Sequence, residues 1–140
     1  MKKNLVFLST LFVIALMATL SFAGAGAEVR VNIPFDFYLE DQLLPTGDYR
    51  FQMDSGYHAT GSQLVVWGTN GNVNKMLFTV PGTRNNAGLS ELSFNKYGDK
   101  YFLSTVSIGD HKATVKVFKL ERELRSQLNN TPDTIRIAQK

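Results

Sequence analysis

The sequence predicts a mainly β protein, an antiparallel sandwich or partly open barrel with one short C-terminal amphipathic helix. Three observations predict it. From Val29 to Leu39 every second residue is apolar, the period of a strand with one buried face. Two tight-turn dipeptides, Asn70-Gly71 and Gly98-Asp99, each stand between apolar runs, which is the signature of hairpins. Val117, Leu120, Leu124 and Leu128 then fall at helical spacing in Leu-, Glu- and Arg-rich sequence, good helix-forming material.

The chain begins with an address. Lys2 and Lys3 precede the apolar run Leu5–Leu20, and the small residues Ala23 to Ala27 follow at once. That is the layout of a secretory signal peptide with an A-x-A-like cleavage site. Residues 1–27 are therefore expected to be removed, with cleavage before Gly26 or Glu28. A single β-rich domain, residues 28–140, would remain, exported to the periplasm or secreted, with no integral membrane segment after cleavage.

Each later element has its own justification. Within the first alternating stretch Pro34 lacks an N–H, so it marks an edge or a bend between two shorter strands. Leu44-Pro45-Thr46-Gly47 has Pro and Gly where a type I turn favours them, and Tyr49, Phe51 and Met53 restart the alternation. Asp54–Ser62 and Pro81–Gly88 read as loops. Around Asn70-Gly71, a two-residue loop would pair Val65 with Met76 and Trp67 with Asn74. A three-residue loop, Asn70–Asn72, would pair Leu64 with Phe78 and Val66 with Met76. The second keeps apolar partners together and is the expected register.

The Gly98-Asp99 turn sets Phe94 opposite Leu103 and Lys96 opposite Tyr101. Leu92, Phe94, Leu103 and Tyr101 then share one face, while Phe102, Val106 and Ile108 fall on the other, so this hairpin is expected to lie centrally under a second layer. After Gly109-Asp110, Thr114–Val117 reads as extended. The helix is expected over about 118–128, with Glu121 and Arg125 as an i,i+4 pair and a leucine stripe that closes one face of the sheet. Residues 134–138, with Ile135 and Ile137, make a last edge strand. Val31, Ile33, Phe35, Phe37, Tyr49, Phe51, Val66, Phe78, Phe94, Leu103 and Leu124 are the expected core.

Composition excludes several function classes. Removing Lys2 and Lys3, with no acid lost beside them, lowers the formal charge from +3 to about +1. A near-neutral domain has no electrostatic footprint for nucleic acid. The chain has no cysteine, so disulfides, a thiol nucleophile and Cys-ligated metals are all excluded, and the core must carry the stability.

The ordered motifs form a pattern. Ile33-Pro34-Phe35-Asp36-Phe37 is followed by Leu44-Pro45-Thr46-Gly47-Asp48-Tyr49, then by Tyr97-Gly98-Asp99-Lys100-Tyr101-Phe102-Leu103 and by Glu121-Arg122-Glu123-Leu124. The chain resembles a family of small, exported, uncharacterised β-rich proteins common in acidobacterial genomes. That resemblance implies a location outside the cytoplasm and a β-rich fold, and it carries no site residues.

Catalytic chemistry is sparse. The two histidines, His58 and His111, stand beside loop residues and outside any metal-ligand spacing. No G-x-S-x-G elbow is present, and no glycine-rich cradle opens a helix. Asp36, Glu40, Asp41 and Asp48 form a loose acidic group, and two of them would serve glycoside hydrolysis only if held across one cleft. The plainer reading places Asp36 on the polar face of a strand and the other three around turns. No residue is assigned a catalytic, metal or cofactor role, and no cofactor is expected. Tyr38, Tyr57, Trp67, Tyr97 and Tyr101 are a surplus of aromatics, suited either to sugar stacking and partner contact or to covering a sheet.

The leading expectation is a non-enzymatic exported β-domain with a structural or interaction role toward a protein or glycan partner in the envelope or outside the cell. The alternatives are a carbohydrate- or lipid-binding module, using surface aromatics or the β-fold interior, and a small hydrolase using carboxylates. An outer-membrane barrel fits less well, because a helix follows the strands.

Overall fold

A computed structural model describes residues 26–54, 62–69, 71, 73–82, 88–129 and 131–139. The segment Met1–Ala25, Asn70, Tyr57 and His58 lie outside the described residues. Among the described residues, ten strands and one helix follow in order: β1 (Ala27–Ile33), β2 (Phe37–Leu39), β3 (Gln42–Leu44), β4 (Gly47–Asp54), β5 (Ser62–Gly68), β6 (Asn74–Pro81), β7 (Glu91–Tyr97), β8 (Lys100–Ile108), β9 (His111–Thr114), α1 (Lys119–Leu128) and β10 (Asp133–Ala138). The protein is mainly β and sandwich-like, and its sheet does not close into a barrel.

One antiparallel layer runs β1-β4-β5-β6. The second is built on β8, which pairs with β7 along one side and with β9 and β2 along the other. β10 edges β7, and β3 edges β2. The end of β6 joins the layers, with Val80 opposite Thr114 and Pro81 opposite Ala113 on β9. Inward-facing residues of both layers form one cluster around Ile33, Phe37, Phe51, Leu64, Val66 and Phe94, all fully buried.

Pro34 makes the corner between the layers. The single alternating stretch seen in sequence is two strands: β1 ends at Ile33, and β2 begins at Phe37 beside β8. Without an N–H, Pro34 cannot continue a ladder. Val29, Val31, Ile33, Phe37 and Leu39 are nonetheless all buried, so the apolar face survives the bend. Phe35, in the corner, stacks on Tyr101 at 4.0 Å between ring centroids and is half-buried rather than fully enclosed.

The β5–β6 register differs from the expected one. Val65 faces Met76, Trp67 faces Asn74 and Leu64 faces Leu77. The backbone N–H of Gly68 donates to the Val73 carbonyl at 2.9 Å, so the connection closes one step away from the three-residue loop. Phe78, an expected core residue, is consequently 60% exposed, and Leu77 and Thr79 are buried in its place. The ammonium of Lys75 explains the choice. In this register it reaches Glu40 at 2.6 Å and the Leu39 carbonyl at 3.2 Å.

The β7–β8 hairpin has the expected turn and an unexpected bulge. Phe94 faces Leu103 and Lys96 faces Tyr101, but the register shifts so that Ser93 faces Thr105 and Leu92 faces Val106. Ser104 is the extra residue, and its carbonyl is taken by the N–H of Val115 at 2.8 Å. A bulge re-aims every side chain beyond it. Val106 and Ile108 therefore join Leu92 and Phe94 in the core, not the opposite face. Phe102 alone stays opposite, against Tyr97 and Tyr38.

The helix meets the sheet through a carboxylate. Glu121 is 5% exposed, while Leu120 and Leu124 are only half-buried and Leu128 is exposed. The expected leucine stripe does not close the face, and Glu121 turns to β7 rather than to Arg125. Its Oε1 accepts from Asn95 Nδ2 at 2.8 Å and from the Tyr97 hydroxyl at 3.2 Å. Asn129, at φ 48°, ends the helix in the left-handed conformation common after helices. The strand before the helix is His111–Thr114, earlier than the expected Thr114–Val117.

Candidate binding face

In the β1-β4-β5-β6 layer, alternation sends one set of side chains into the core and the other outward. Register aligns the outward set in rows. Arg30, Arg50, Trp67 and Asn74 form one row, and Glu28, Gln52, Val65 and Met76 form the next. The β1–β4 half of this face is thus polar and the β5–β6 half apolar. Met76, Phe78 and Val80 on β6 are 59%, 60% and 49% exposed. The three stand at alternate positions of one strand, so their exposed side chains share one face.

Arg50 is the pivot of the face. Its guanidinium carbon lies 4.2 Å from the centroid of the Trp67 ring, a cation–π contact across the ladder. Arg30, directly opposite Arg50 on β1, is paired through Nε with Glu28 Oε1 at 3.2 Å. Beside these side chains a cleft of about 300 Å³ is lined by Arg30, Arg50, Trp67, Gly68, Thr69 and Gly71.

The rim of that cleft is held by the β5–β6 connection. Thr69 donates to the Asp48 carbonyl through its N–H at 3.0 Å and its hydroxyl at 2.6 Å. Gly71 sits at φ 72°, where side chains are rarely accommodated, and its N–H donates to the Gly68 carbonyl at 3.0 Å.

The four acidic residues each have a separate structural partner. Asp36 Oδ1 accepts from the Thr46 N–H at 2.7 Å, and Asp48 Oδ1 accepts from Asn32 Nδ2 at 2.7 Å. Glu40 pairs with Lys75, and Asp41 Oδ1 accepts from the N–H of Leu120 at 3.1 Å. The cleft that Asp48 lines, beside Tyr49 and Thr69, holds about 50 Å³, room for water and not for a sugar ring. Among the described residues, no three His, Cys, Asp or Glu side chains stand together where they could hold a metal ion.

His111 is exposed at the start of β9, with Nε2 3.3 Å from Asp110 Oδ1. Of the surplus aromatics, Tyr97 is buried and covers the sheet, one of the two roles open to it. Tyr38 stacks on Phe102 at 4.8 Å and Tyr101 on Phe35 at 4.0 Å. Among the described members of this group, Trp67 alone stands on the open layer. Burial, and then the nearby Glu121 charge, raises the Tyr97 pKa above its ordinary value. Burial, and then Asp36, raises that of Tyr49, whose hydroxyl donates to the Pro45 carbonyl at 2.6 Å.

Sequence reading singled out Trp67 but not Arg30, Arg50, Met76, Phe78 or Val80. The signal for the arginines was available, since the β1–β4 alternation places both on the polar face. The apolar stripe was hidden by the one-residue choice of register.

Fold and face together define a small, mainly β, sandwich-like protein whose β1-β4-β5-β6 layer, among the described residues, has an open outer surface, half polar and half apolar. No family model matches the chain, and neither the curated proteins nor the solved structures contain a significant match to it.

Proposed function

We propose that this chain is an exported, non-enzymatic binding domain that meets its partner through the outer face of the β1-β4-β5-β6 layer. The exposed Met76–Phe78–Val80 stripe beside Trp67 carries the reading. Large apolar side chains cost nothing in folding when left exposed, but gathered on a rigid sheet they make a ready surface for association. The Met1–Ala27 pattern supports export to the periplasm or beyond, and no described helix is long and apolar enough to cross a membrane. The separate structural partners of Asp36, Glu40, Asp41 and Asp48 support a non-catalytic reading of those carboxylates.

The test is retention on isolated envelope material, with polysaccharide and protein fractions assayed separately. Wild type is expected to be retained, and a Met76→Ser, Phe78→Ser double variant of unchanged thermal stability is expected to be released. Equal retention of both proteins would contradict the reading. Export is checked by N-terminal sequencing, expected to begin at Gly26 or Glu28; an intact Met1 in the membrane fraction would contradict it.

Within this reading, a saccharide partner is favoured by one observation: the cleft beside Trp67 combines an aromatic ring with polar donors and bare glycine backbone. Rings with adjacent hydrogen-bonding groups suit sugars, which are apolar on a face and polar at the rim.

A further inference from the structure

We infer that the cleft between Arg30, Arg50 and Trp67 binds the anionic group of an acidic saccharide, with Arg50 as the residue that holds it. The inference rests on the saccharide reading above and specifies its chemical class. Its starting point is charge accounting on the open face. Of the acids on that face, Glu28 is engaged with Arg30 at 3.2 Å and Asp48 with the Asn32 amide at 2.7 Å, while Asp54 stands at the far end of β4, opposite Gln63. Arg50 has no carboxylate partner among the described side chains. Its one described contact is the Trp67 ring at 4.2 Å.

That contact leaves the guanidinium donors available. A guanidinium placed over a π face is held by the ring quadrupole, which engages none of its N–H groups in a conventional hydrogen bond. Arg50 is half-buried in this position, so its donors are positioned before any ligand arrives. Such a fork matches a planar carboxylate or a sulfate ester in bidentate geometry. Arg30, directly across the ladder, adds a second positive charge. Like charges opposite each other on a sheet repel, and an anion between them removes that cost.

The rest of the cleft fits a sugar ring. Its volume of about 300 Å³ is at the lower end of small-molecule sites, room for one or two saccharide units. Gly71 presents backbone without a side chain, and an added Cβ there would meet nothing within 4 Å. The indole supplies the apolar surface on which ring C–H groups rest. A long polyanion fits poorly, because the described part of this face offers one arginine pair and no basic track.

The anion has two chemical sources, a uronate carboxylate and a sulfate ester, and the test separates them. The purified protein is titrated calorimetrically with a uronate trisaccharide, with the same trisaccharide reduced to its neutral alcohol form, and with a sulfated neutral trisaccharide. At least one charged probe is expected to bind about tenfold or more tighter than the neutral one. Arg50→Ala should abolish that advantage, and Arg50→Lys should fail to restore it, because an ammonium lacks the planar fork. Arg30→Ala, at a side chain 72% exposed, leaves the fold intact and should weaken the charged probes alone by severalfold.

Equal binding of charged and neutral probes, or wild-type binding by Arg50→Ala, overturns the anionic assignment. If Trp67→Ala still abolishes that binding, the saccharide reading survives. No binding of any probe overturns the assignment and the saccharide reading together. The envelope-retention test of Met76 and Phe78 then decides the broader binding role independently.

Discussion

The carboxylate of Asp41 caps the helix from a hairpin 79 residues earlier, accepting the N–H of Leu120 at 3.1 Å. The helix has Phe118 at its own N-cap position, with no side-chain cap of its own. A free first turn leaves N–H groups without partners, and the β2–β3 turn supplies the missing acceptor from outside. The cap thus ties the first hairpin to the last helix. Asp41→Ala is expected to lower stability by about 1 kcal/mol, and Asp41→Asn by clearly less, because an amide oxygen caps comparably. Urea midpoints measure both; an Asn variant as weak as the Ala variant would contradict the cap.

Glu121 makes the second attachment of the helix. Replacing it by Ala would leave the Tyr97 hydroxyl and the Asn95 amide without their acceptor in a buried setting, at a cost of about 1–3 kcal/mol. Glu121→Gln retains an acceptor oxygen and should cost less. A midpoint for Glu121→Ala equal to wild type would show that the helix does not depend on this contact.

Tyr49 and Tyr97 predict how stability responds to alkali. Burial holds both folded pKa values above the ordinary tyrosine value of 10.0, so the folded state holds these protons more tightly than the unfolded chain. The stability they contribute is fully present below 10.0 and is lost as pH rises through the folded values. Urea midpoints are expected to fall above that point, and to fall less steeply in Tyr49→Phe and Tyr97→Phe. A phenolate absorbance titration that shows both tyrosines ionising normally would contradict this.

Two phenylalanines separate the core from the open face. Phe94 is fully buried, edge-on to Phe35 at 5.2 Å and to Phe37 at 5.5 Å, and Phe94→Ala should cost about 3–5 kcal/mol. Phe78 is 60% exposed, and Phe78→Ser should stay within about 0.5 kcal/mol of wild type. Urea denaturation compares them directly. A large loss at Phe78 would restore the register in which it faces Leu64.

These two residues also show what was legible in the sequence. Phe94 lies next to Gly98-Asp99, a turn that permits one loop length, so its partner Leu103 was fixed. Phe78 follows a connection of two possible lengths, and the one that pairs apolar residues better is not the one taken; the contact that goes with the observed register, Lys75 to Glu40, joins segments far apart in sequence. The Pro34 corner, the helix and the last strand were readable because local chemistry determines each. The bulge at Ser104 was not, since no glycine or proline marks it and its carbonyl is claimed by Val115. The candidate face was half legible. Trp67 stood out by composition, but Arg50 acquires meaning only once register sets it against that ring.

Trp67 is the chain's single tryptophan, so its fluorescence reports on the open face without further labelling. The most direct test of the binding account is titration of the protein with solubilised envelope polysaccharide while Trp67 emission and acrylamide quenching are followed. A saturable change in emission, with reduced access of acrylamide and loss of the response in Arg50→Ala, is the result predicted. Polysaccharide that binds, as shown by co-sedimentation, yet leaves Trp67 emission and quenching unchanged would contradict it.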